Sequence, residues 1–194
     1  ENLRYFEYEQ MMLEYAKALF GRAQDNFEDP EFVPAEGEFA DEDEAFFFLQ
    51  SRTTRFMNII RQEEYYTTER LKEANDLVLL LADTQFRREK LPEAAQLYLQ
   101  ALQEEEIMTD SQKRETYLKL ANMSERQSNF AESEKWFRNA LAYAESPEDE
   151  ANIMQDILVQ IQNSFEKASE EGDFMAEANE RLRLAAEMGA GRDS

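Results

Sequence analysis

Apolar residues recur at helical spacing along most of the chain, and no stretch alternates as a strand would. Residues 2 to about 24 carry apolar side chains at steps of mostly three and four, which predicts an amphipathic first helix. A second helix is predicted from about Asp41 to about Glu64, because the acidic residues at its start favour the N-terminal end of the helix dipole. Only 5 Gly and 4 Pro occur in 194 residues, which suits long helices. The pattern predicts an all-α protein.

Three further pairs of helices are predicted after Thr67. Their bounds are 68–88 with 91–105, 110–127 with 130–145, and 148–170 with 174–188. The breaks fall at residues that commonly start or end helices, namely Thr67, Pro92, Thr109, Ser146, Pro147 and Gly172. With the first two helices, this makes about eight. The predicted organisation is a helical pair in 1–66 joined by a long acidic loop over 25–45, three pairs in 67–188, and a flexible tail in 189–194.

The second helix of each pair carries one recurring order of small and bulky residues. Two small residues stand seven positions apart with a bulky residue between them: Ala94, Tyr98 and Ala101; Ser133, Phe137 and Ala140; Ala178, Leu182 and Ala185. Small side chains let two helices approach closely, and the bulky residue is expected to fill the groove toward the next pair. The copies begin 39 and then 45 residues apart, at positions 94, 133 and 178. This spacing is typical of an α-solenoid of stacked antiparallel helix pairs, although a plain helical bundle would show similar stripes.

Over roughly residues 68–188 the chain resembles the tetratricopeptide repeat (TPR) family. The family signature combines a Leu and a small residue in the first helix of a repeat with Ala-x3-Phe/Tyr-x2-Ala in the second. Leu81-Ala82 and Leu120-Ala121 match the first part. The family's Tyr is replaced by Gln85 in one copy and by Ser124 in the next. By this resemblance, residues 1–66 are either a degenerate fourth repeat or an unrelated helical cap.

The resemblance implies a non-enzymatic scaffold or adaptor that binds a peptide or helix of a partner protein in a concave groove. Carried over residue by residue, the family's groove positions predict a partner-binding set of Asp83, Phe86, Arg87, Lys119, Asn122, Arg126, Gln162 and Asn163, preceded on the first helix by Asp76, Leu79 and Leu80. Asn122 with Lys119 and Arg126 is best suited to bond a peptide backbone. The other interpretation, ordinary polar residues on a solvated face, stays open. The family's clamp for a C-terminal carboxylate is not matched, since Leu79, Asp83 and Glu166 stand at its positions.

Charge and composition restrict the classes of partner and chemistry. The net charge of −22 repels phosphate and anionic lipid, so we expect a basic or neutral protein partner, no nucleic acid and no membrane. The chain has no Cys and no His, which excludes thiol and imidazole catalysis and Cys/His metal sites. We therefore predict no enzyme activity, no cofactor and no metal site. The acidic loop lacks the ligand spacing of a Ca²⁺-binding loop, and no apolar run approaches the ~18 residues of a membrane span.

A structural role is the alternative function. Phe46, Phe47 and Phe48 are adjacent and cannot all face one core, and the last helix has an apolar face. That face comprises Leu182, Leu184, Ala185, Ala186 and Met188. With these surfaces the chain is alternatively expected to self-associate as a component of a larger assembly. The choice between monomer and homo-oligomer stays open, as does the localisation. Because the chain begins at Glu1 within a helical pattern, any targeting segment is expected to lie outside it.

Overall fold

The protein is all-α, as predicted. A computed structural model describes residues 2–27, 42–62 and 65–190, and no strand occurs in these ranges. They contain eight α-helices: α1 (Asn2–Phe27), α2 (Glu42–Ile60), α3 (Thr68–Arg87), α4 (Leu91–Ala101), α5 (Asp110–Arg126), α6 (Phe130–Leu141), α7 (Pro147–Glu171) and α8 (Phe174–Ala190). A short 3-10 helix, Leu102–Ile107, follows α4. The chain divides into two compact units, Glu1–Met108 and Thr109–Ser194.

The predicted bounds of all eight helices agree with the observed ones within four residues. Both ends of the predicted acidic loop are helical, because α1 continues to residue 27 and α2 begins at residue 42. α1 passes through Gly21, since one glycine in a helix costs only about 1 kcal/mol. The rest of that loop, 28–41, lies outside the described residues. α2 ends at Ile60 instead of the predicted Glu64. α8 continues to Ala190, so part of the predicted tail is helical, and 191–194 lie outside the described residues.

In the first unit, α1 and α2 form an antiparallel pair with an aromatic core. Phe6 packs against Phe56 with ring centroids 6.0 Å apart. Further along α1, Phe20 packs against Phe46 at 6.4 Å. All four rings are buried. Large aromatic side chains contribute most of the burial energy of such an interface, so this core holds the two helices together.

The first helices of the three later pairs all begin with a hydroxyl cap. Thr67, Thr109 and Ser146 have extended backbones, and each side-chain oxygen accepts a hydrogen bond from the backbone N–H three residues later, at 3.1 to 3.2 Å. At Thr109 the backbone N–H of the cap residue also donates to Gln112 Oε1 at 2.9 Å. Such caps satisfy N–H groups that the helix leaves unpaired, typically contributing about 1 kcal/mol each. They fix where α3, α5 and α7 start.

The same turn joins the two helices of each later pair. One residue of the turn is left-handed, with φ of 57°, 57° and 79°: Glu89, Ser128 and Gly172. The next N–H then bonds the carbonyl oxygen five residues back: Lys90 to Gln85, Asn129 to Ser124, and Asp173 to Ala168, at 3.0, 2.9 and 2.8 Å. This is a Schellman-type helix end, in which a left-handed residue satisfies terminal carbonyls. The left-handed residues stand 39 and then 44 residues apart. The internal repeat is therefore present in the backbone.

The small residues of the first two copies lie where their helices approach closely. Ala94, Ala101, Ser133 and Ala140 are all 0% exposed. Ser133 Oγ donates to the backbone oxygen of Ala121 at 2.9 Å, which ties α6 directly to the backbone of α5. Such a contact leaves no room for a larger side chain. The prediction for these four residues is confirmed.

The prediction for the third copy is wrong by one residue. Counting nine residues from each left-handed turn residue leads to Tyr98, Phe137 and Arg181, whereas the sequence pattern aligned Leu182 with the two aromatic residues. Leu182 is 70% exposed. The register follows the turn at Gly172, which places Glu177, and not Ala178, at the first small position. Ala178 is only partly buried, and the side chain of Ala185 lies outside the described part.

Candidate functional site

The first unit contains an open groove of about 480 Å³ between α1 and α3. Its apolar part is formed by Leu77 and Leu80. Its charged rim consists of Lys17, Glu69, Lys72, Glu73 and Asp76. Lys17 Nζ of α1 lies 3.0 Å from Glu73 Oε1 of α3, which links the two walls. An apolar surface with charged groups around it is the usual composition of a ligand-binding cleft.

The helical register of α3 explains why these residues share one face. The residues that α3 contributes to the groove, both the charged rim and the two leucines, are spaced three and four positions apart, which places them on one side of the helix. The stripe Leu71, Ala74, Val78 and Leu81 is buried. Leu80 lies away from that stripe and is exposed. The groove therefore combines a fixed helical wall with an accessible apolar side chain.

The rim of the groove is charged and carries more acids than bases. Partial burial lowers the pKa of Lys17, but its hydrogen bonds to Glu73 and Glu14, and their charges, outweigh that effect and raise the pKa above 10.5 overall. The ammonium is therefore charged at any physiological pH. Two lysines face three carboxylates along the rim. This excess of negative charge favours a ligand that carries a positively charged group.

The predicted partner-binding residues of the first unit lie beyond this groove. Asp83 is partly buried and accepts a hydrogen bond from Tyr98 Oη at 2.5 Å. Phe86 is partly buried, and Arg87 is exposed at the end of α3. These three residues are one to two turns past Leu80 and do not line the groove. Of the family positions that precede them on α3, Asp76 and Leu80 line the groove and Leu79 does not. Lys17 had no sequence signal, because its place depends on how α1 packs against α3.

In the second unit, three predicted residues share one face of α5. Lys119 and Asn122 are partly buried, and Arg126 is exposed; their spacing of three and four residues puts them on one side of the helix. On α7, Gln162 is exposed and donates to Glu166 Oε1 at 2.7 Å. Asn163 is partly buried. The α5 trio is thus brought together, and the Gln162 amide already has a partner on its own helix.

Two carboxylates of the second unit, Glu125 of α5 and Asp156 of α7, lie near each other. Gln160 Nε2 of α7 donates to Glu125 Oε1 of α5 at 2.9 Å. Partial desolvation, and then the nearby charge of Glu125, raise the pKa of Asp156 above its ordinary value of 3.8. A raised carboxylate pKa means that the charged form is disfavoured there. A cation brought to this face would relieve that repulsion.

No protein-family model, curated protein or solved structure matches the chain. Membership of the TPR family therefore remains a prediction. In the described part of the chain, no group of three acidic side chains is arranged to hold a metal ion. Over the same residues, every helix is too short or too polar to cross a bilayer.

Asn122 occupies the same repeat position as Asp83, but no tyrosine hydroxyl in the described ranges donates to it. Asp83 accepts from the hydroxyl of Tyr98, and the residue related to Tyr98 by the turn is Phe137. Asn122 Oδ1 is covered and has no hydrogen-bond partner in the described part of the protein. A covered acceptor of this kind costs free energy unless a donor reaches it. Among the predicted residues, Asn122 therefore has the clearest unsatisfied bonding capacity.

We expect Phe137→Tyr to stabilise the second unit by about 1 kcal/mol, because the added hydroxyl would reach Asn122 as Tyr98 reaches Asp83. Urea denaturation, monitored by the fluorescence of Trp136, measures the change in the free energy of unfolding. Trp136 is the one tryptophan of the chain. The control is the same substitution in an Asn122→Ala background, where the gain should vanish. An equal gain in both backgrounds would show that the hydroxyl does not bond Asn122.

A second cleft, of about 380 Å³, lies in the second unit between the α5–α6 turn, the end of α7 and the start of α8. Lys167 Nζ donates to the Ser128 backbone oxygen beside it at 3.2 Å. Two of its carboxylates, Glu177 and Glu180, are paired with arginines of α8. None of the predicted partner-binding residues lines it. Lys167 therefore ties α7 to the α5–α6 turn, and the two glutamates pair within α8.

Proposed function

We propose that this protein is a non-enzymatic interaction module that binds a peptide or helix of another protein. The α1–α3 groove carries the proposal, because it is open, has an apolar floor and has a charged rim. A bound segment would place an apolar anchor against Leu77 and Leu80 and a basic residue beside Glu69 or Asp76. Helices form both walls, so little ordering entropy would be lost on binding.

The proposed architecture is a TPR-like α-solenoid of stacked helix pairs. Its support is the threefold recurrence of a hydroxyl cap, a left-handed turn residue and the bond across that turn. Close packing through small residues recurs in two of the three pairs. In such arrays the first helices of successive pairs line a groove, as α1 and α3 do within the first unit. The resemblance of the sequence to the TPR family agrees with this arrangement.

The charge of the protein indicates a basic partner. With a net charge of −22, the protein attracts cationic segments over several ångströms and repels acidic ones. Association should therefore be faster at low salt and weaken as salt screens the charges. Salt dependence alone does not locate the site, so the test requires substitutions in the groove.

The test replaces one apolar residue in the groove and a matched one outside it. Peptides selected from a random display library on the purified chain are measured by fluorescence anisotropy. We expect Leu80→Asp to weaken their binding by about tenfold or more, because an anchor would lose its apolar contact and meet a charge. Leu99→Asp is the control, since Leu99 is exposed on α4 and does not line the groove.

Two results would count against the groove. One is that selection yields no peptide that binds above background, and the other is that the selected peptides bind Leu80→Asp and the parent chain equally well. Asn122→Ala and Arg126→Ala variants, measured in the same way, show whether the α5 face contributes to binding. Circular dichroism of every variant confirms that it is folded.

Self-association is a second candidate function, favoured by an aromatic surface on the first unit. Of the three adjacent phenylalanines, Phe46 is buried, Phe48 is partly buried and Phe47 is exposed. Tyr8 and Tyr15 on α1 are also exposed, and the Tyr15 ring meets Phe48 edge-on at 6.4 Å. Exposed aromatic clusters often mark interfaces. Light scattering at low and high salt distinguishes a salt-resistant oligomer from a monomeric adaptor.

A further inference from the structure

One face of α7 in the second unit is apolar and exposed over part of its length. Met154 is 50% exposed and Leu158 is 65% exposed. Ile161 and Phe165, which are partly buried, continue the same line, and the Phe165 ring contacts Phe174 of α8 with ring centroids 5.4 Å apart. Steps of four, three and four residues place these side chains on one side of the helix. We refer to these four residues as the α7 stripe.

The corresponding position in the other two later pairs is covered by protein. Counted from the left-handed turn residue, Leu158 corresponds to Asn75 on α3 and to Arg114 on α5. Asn75 is 2% exposed and donates to the Ala101 backbone oxygen of its partner helix at 3.2 Å. The Arg114 side chain is 13% exposed and bonds Glu145 at 2.9 Å. Leu158, in the middle of the stripe, thus stands exposed at a position that is buried in the other two pairs.

Among the α8 side chains that the structure describes, which end at Arg183, Phe174 contacts only the Phe165 end of the stripe. Glu177 stands where Ala94 and Ser133 allow close approach in the other pairs. A longer charged side chain at that position prevents the same approach. Arg181, at the position of the aromatic residue, pairs instead with Glu134 of α6. α7 and α8 accordingly contact each other less extensively than the helices of the other pairs do.

The surroundings of the stripe are acidic. Between Pro147 and Glu166 the chain has no Lys or Arg. Glu150 lies one turn before Met154 on the line of the stripe, and Glu148 and Glu166 lie on the adjacent line at its two ends. An apolar stripe with carboxylates at both ends complements an amphipathic helix that has apolar residues along one face and basic residues beside them.

We propose that the α7 stripe is the docking surface for a basic amphipathic helix of a partner protein, which completes the third pair from outside. A second copy of this chain is a poor occupant of the stripe, because the carboxylates beside the stripe would face a chain with a net charge of −22. Met154 suits such a surface, since a flexible thioether adapts to different apolar partners. The stripe belongs to the second unit and the groove to the first, so this inference does not rest on the proposed groove.

A defined peptide tests the inference directly. The probe is a labelled helical peptide of about 18 residues made only of Leu and Lys, with Leu at helical spacing along one face. A scrambled peptide of the same composition and charge measures the purely electrostatic attraction. We expect the amphipathic peptide to bind the full chain about tenfold or more tightly than the scrambled one by fluorescence anisotropy.

Substitutions then locate the binding. Leu158→Glu should abolish the difference in affinity between the amphipathic and the scrambled peptide, because a carboxylate would replace the apolar contact at the centre of the stripe. Leu99→Glu, at another exposed leucine that lies in the first unit, should leave this difference in affinity unchanged, and so should the groove variant Leu80→Asp. Leu158 is exposed, so its replacement is not expected to unfold the protein, which thermal denaturation verifies.

Four results would overturn the inference. The scrambled peptide binds as tightly as the amphipathic one, or Leu158→Glu binds as the parent does. The third is that light scattering without peptide shows a dimer that Leu158→Glu dissociates, which would make the stripe a self-interface. If Leu80→Asp alone removes binding, the peptide occupies the groove, and the α7 stripe is not its site.

Discussion

Replacement of Arg181 by Ala is expected to destabilise the second unit by about 3 kcal/mol. The Arg181 guanidinium pairs with Glu134, which is only 4% exposed, and donates to Ser164 Oγ at 2.9 Å, so it joins α8 to both α6 and α7. Removing one member of a buried ion pair leaves an uncompensated charge, which typically costs about 3–5 kcal/mol. Arg138 still contacts Glu134 at 2.7 Å, which places the loss at the lower end. Urea denaturation monitored by Trp136 fluorescence measures the change.

Arg183 provides the matched control on the same helix. It pairs with Glu180, but both side chains are about half exposed, so the pair is screened by water and salt. Arg183→Ala should change stability by less than about 0.5 kcal/mol. Adding Glu134→Gln to Arg181→Ala should recover part of the loss, because the stranded charge is removed. Equal losses for the two single arginine variants would show that Arg181 does not act through a buried charge.

Replacement of Ala140 by Leu is the second substitution with a large expected effect, a loss of about 2 to 3 kcal/mol. Ala140 is 0% exposed, at the position where α6 approaches α5 closely. Three added carbon atoms would force the helices apart or drive side chains out of their preferred rotamers. Trp136 lies four residues earlier on α6 and stacks on Tyr117 of α5 at 6.0 Å, so its fluorescence reports directly on this contact.

Ala131→Leu isolates the packing effect from helix propensity. Ala131 is exposed on the same helix, and Ala and Leu are both strong helix formers. This variant should unfold within about 0.5 kcal/mol of the parent. If Ala140→Leu were tolerated as well as Ala131→Leu, α5 and α6 would not be in close contact there, and the argument from small residues would be wrong.

Features that act within a few residues were predictable from the sequence. Thr67, Thr109 and Ser146 begin helices because each side chain bonds an N–H only three residues away. Gly172 ends α7 because glycine adopts the left-handed conformation without a steric cost. The small residues Ala94 and Ser133 signalled close helix contact for a similar reason, since size alone limits approach.

Features that depend on distant residues were not predictable in this way. Lys17 meets Glu73 across 56 positions, so nothing near Lys17 in the chain marks it as part of a groove. In the third copy, the sequence pattern favoured Leu182 as the packed residue, and the turn at Gly172 placed Arg181 there instead. The predicted residues Asp83, Phe86 and Arg87 lie on α3, which also forms one wall of the groove, but they lie beyond the end of the groove.

By itself, the sequence determined that the chain is helical, where most helices begin, and that its later part repeats. These properties arise from short-range hydrogen bonds, from backbone preferences and from the spacing of apolar residues. The tertiary structure alone decided which polar side chains line a groove, that Glu134 is buried against Arg181, and that Leu158 in the α7 stripe is exposed. Each of these depends on how closely two helices approach, and that distance is set by side chains far apart in the chain.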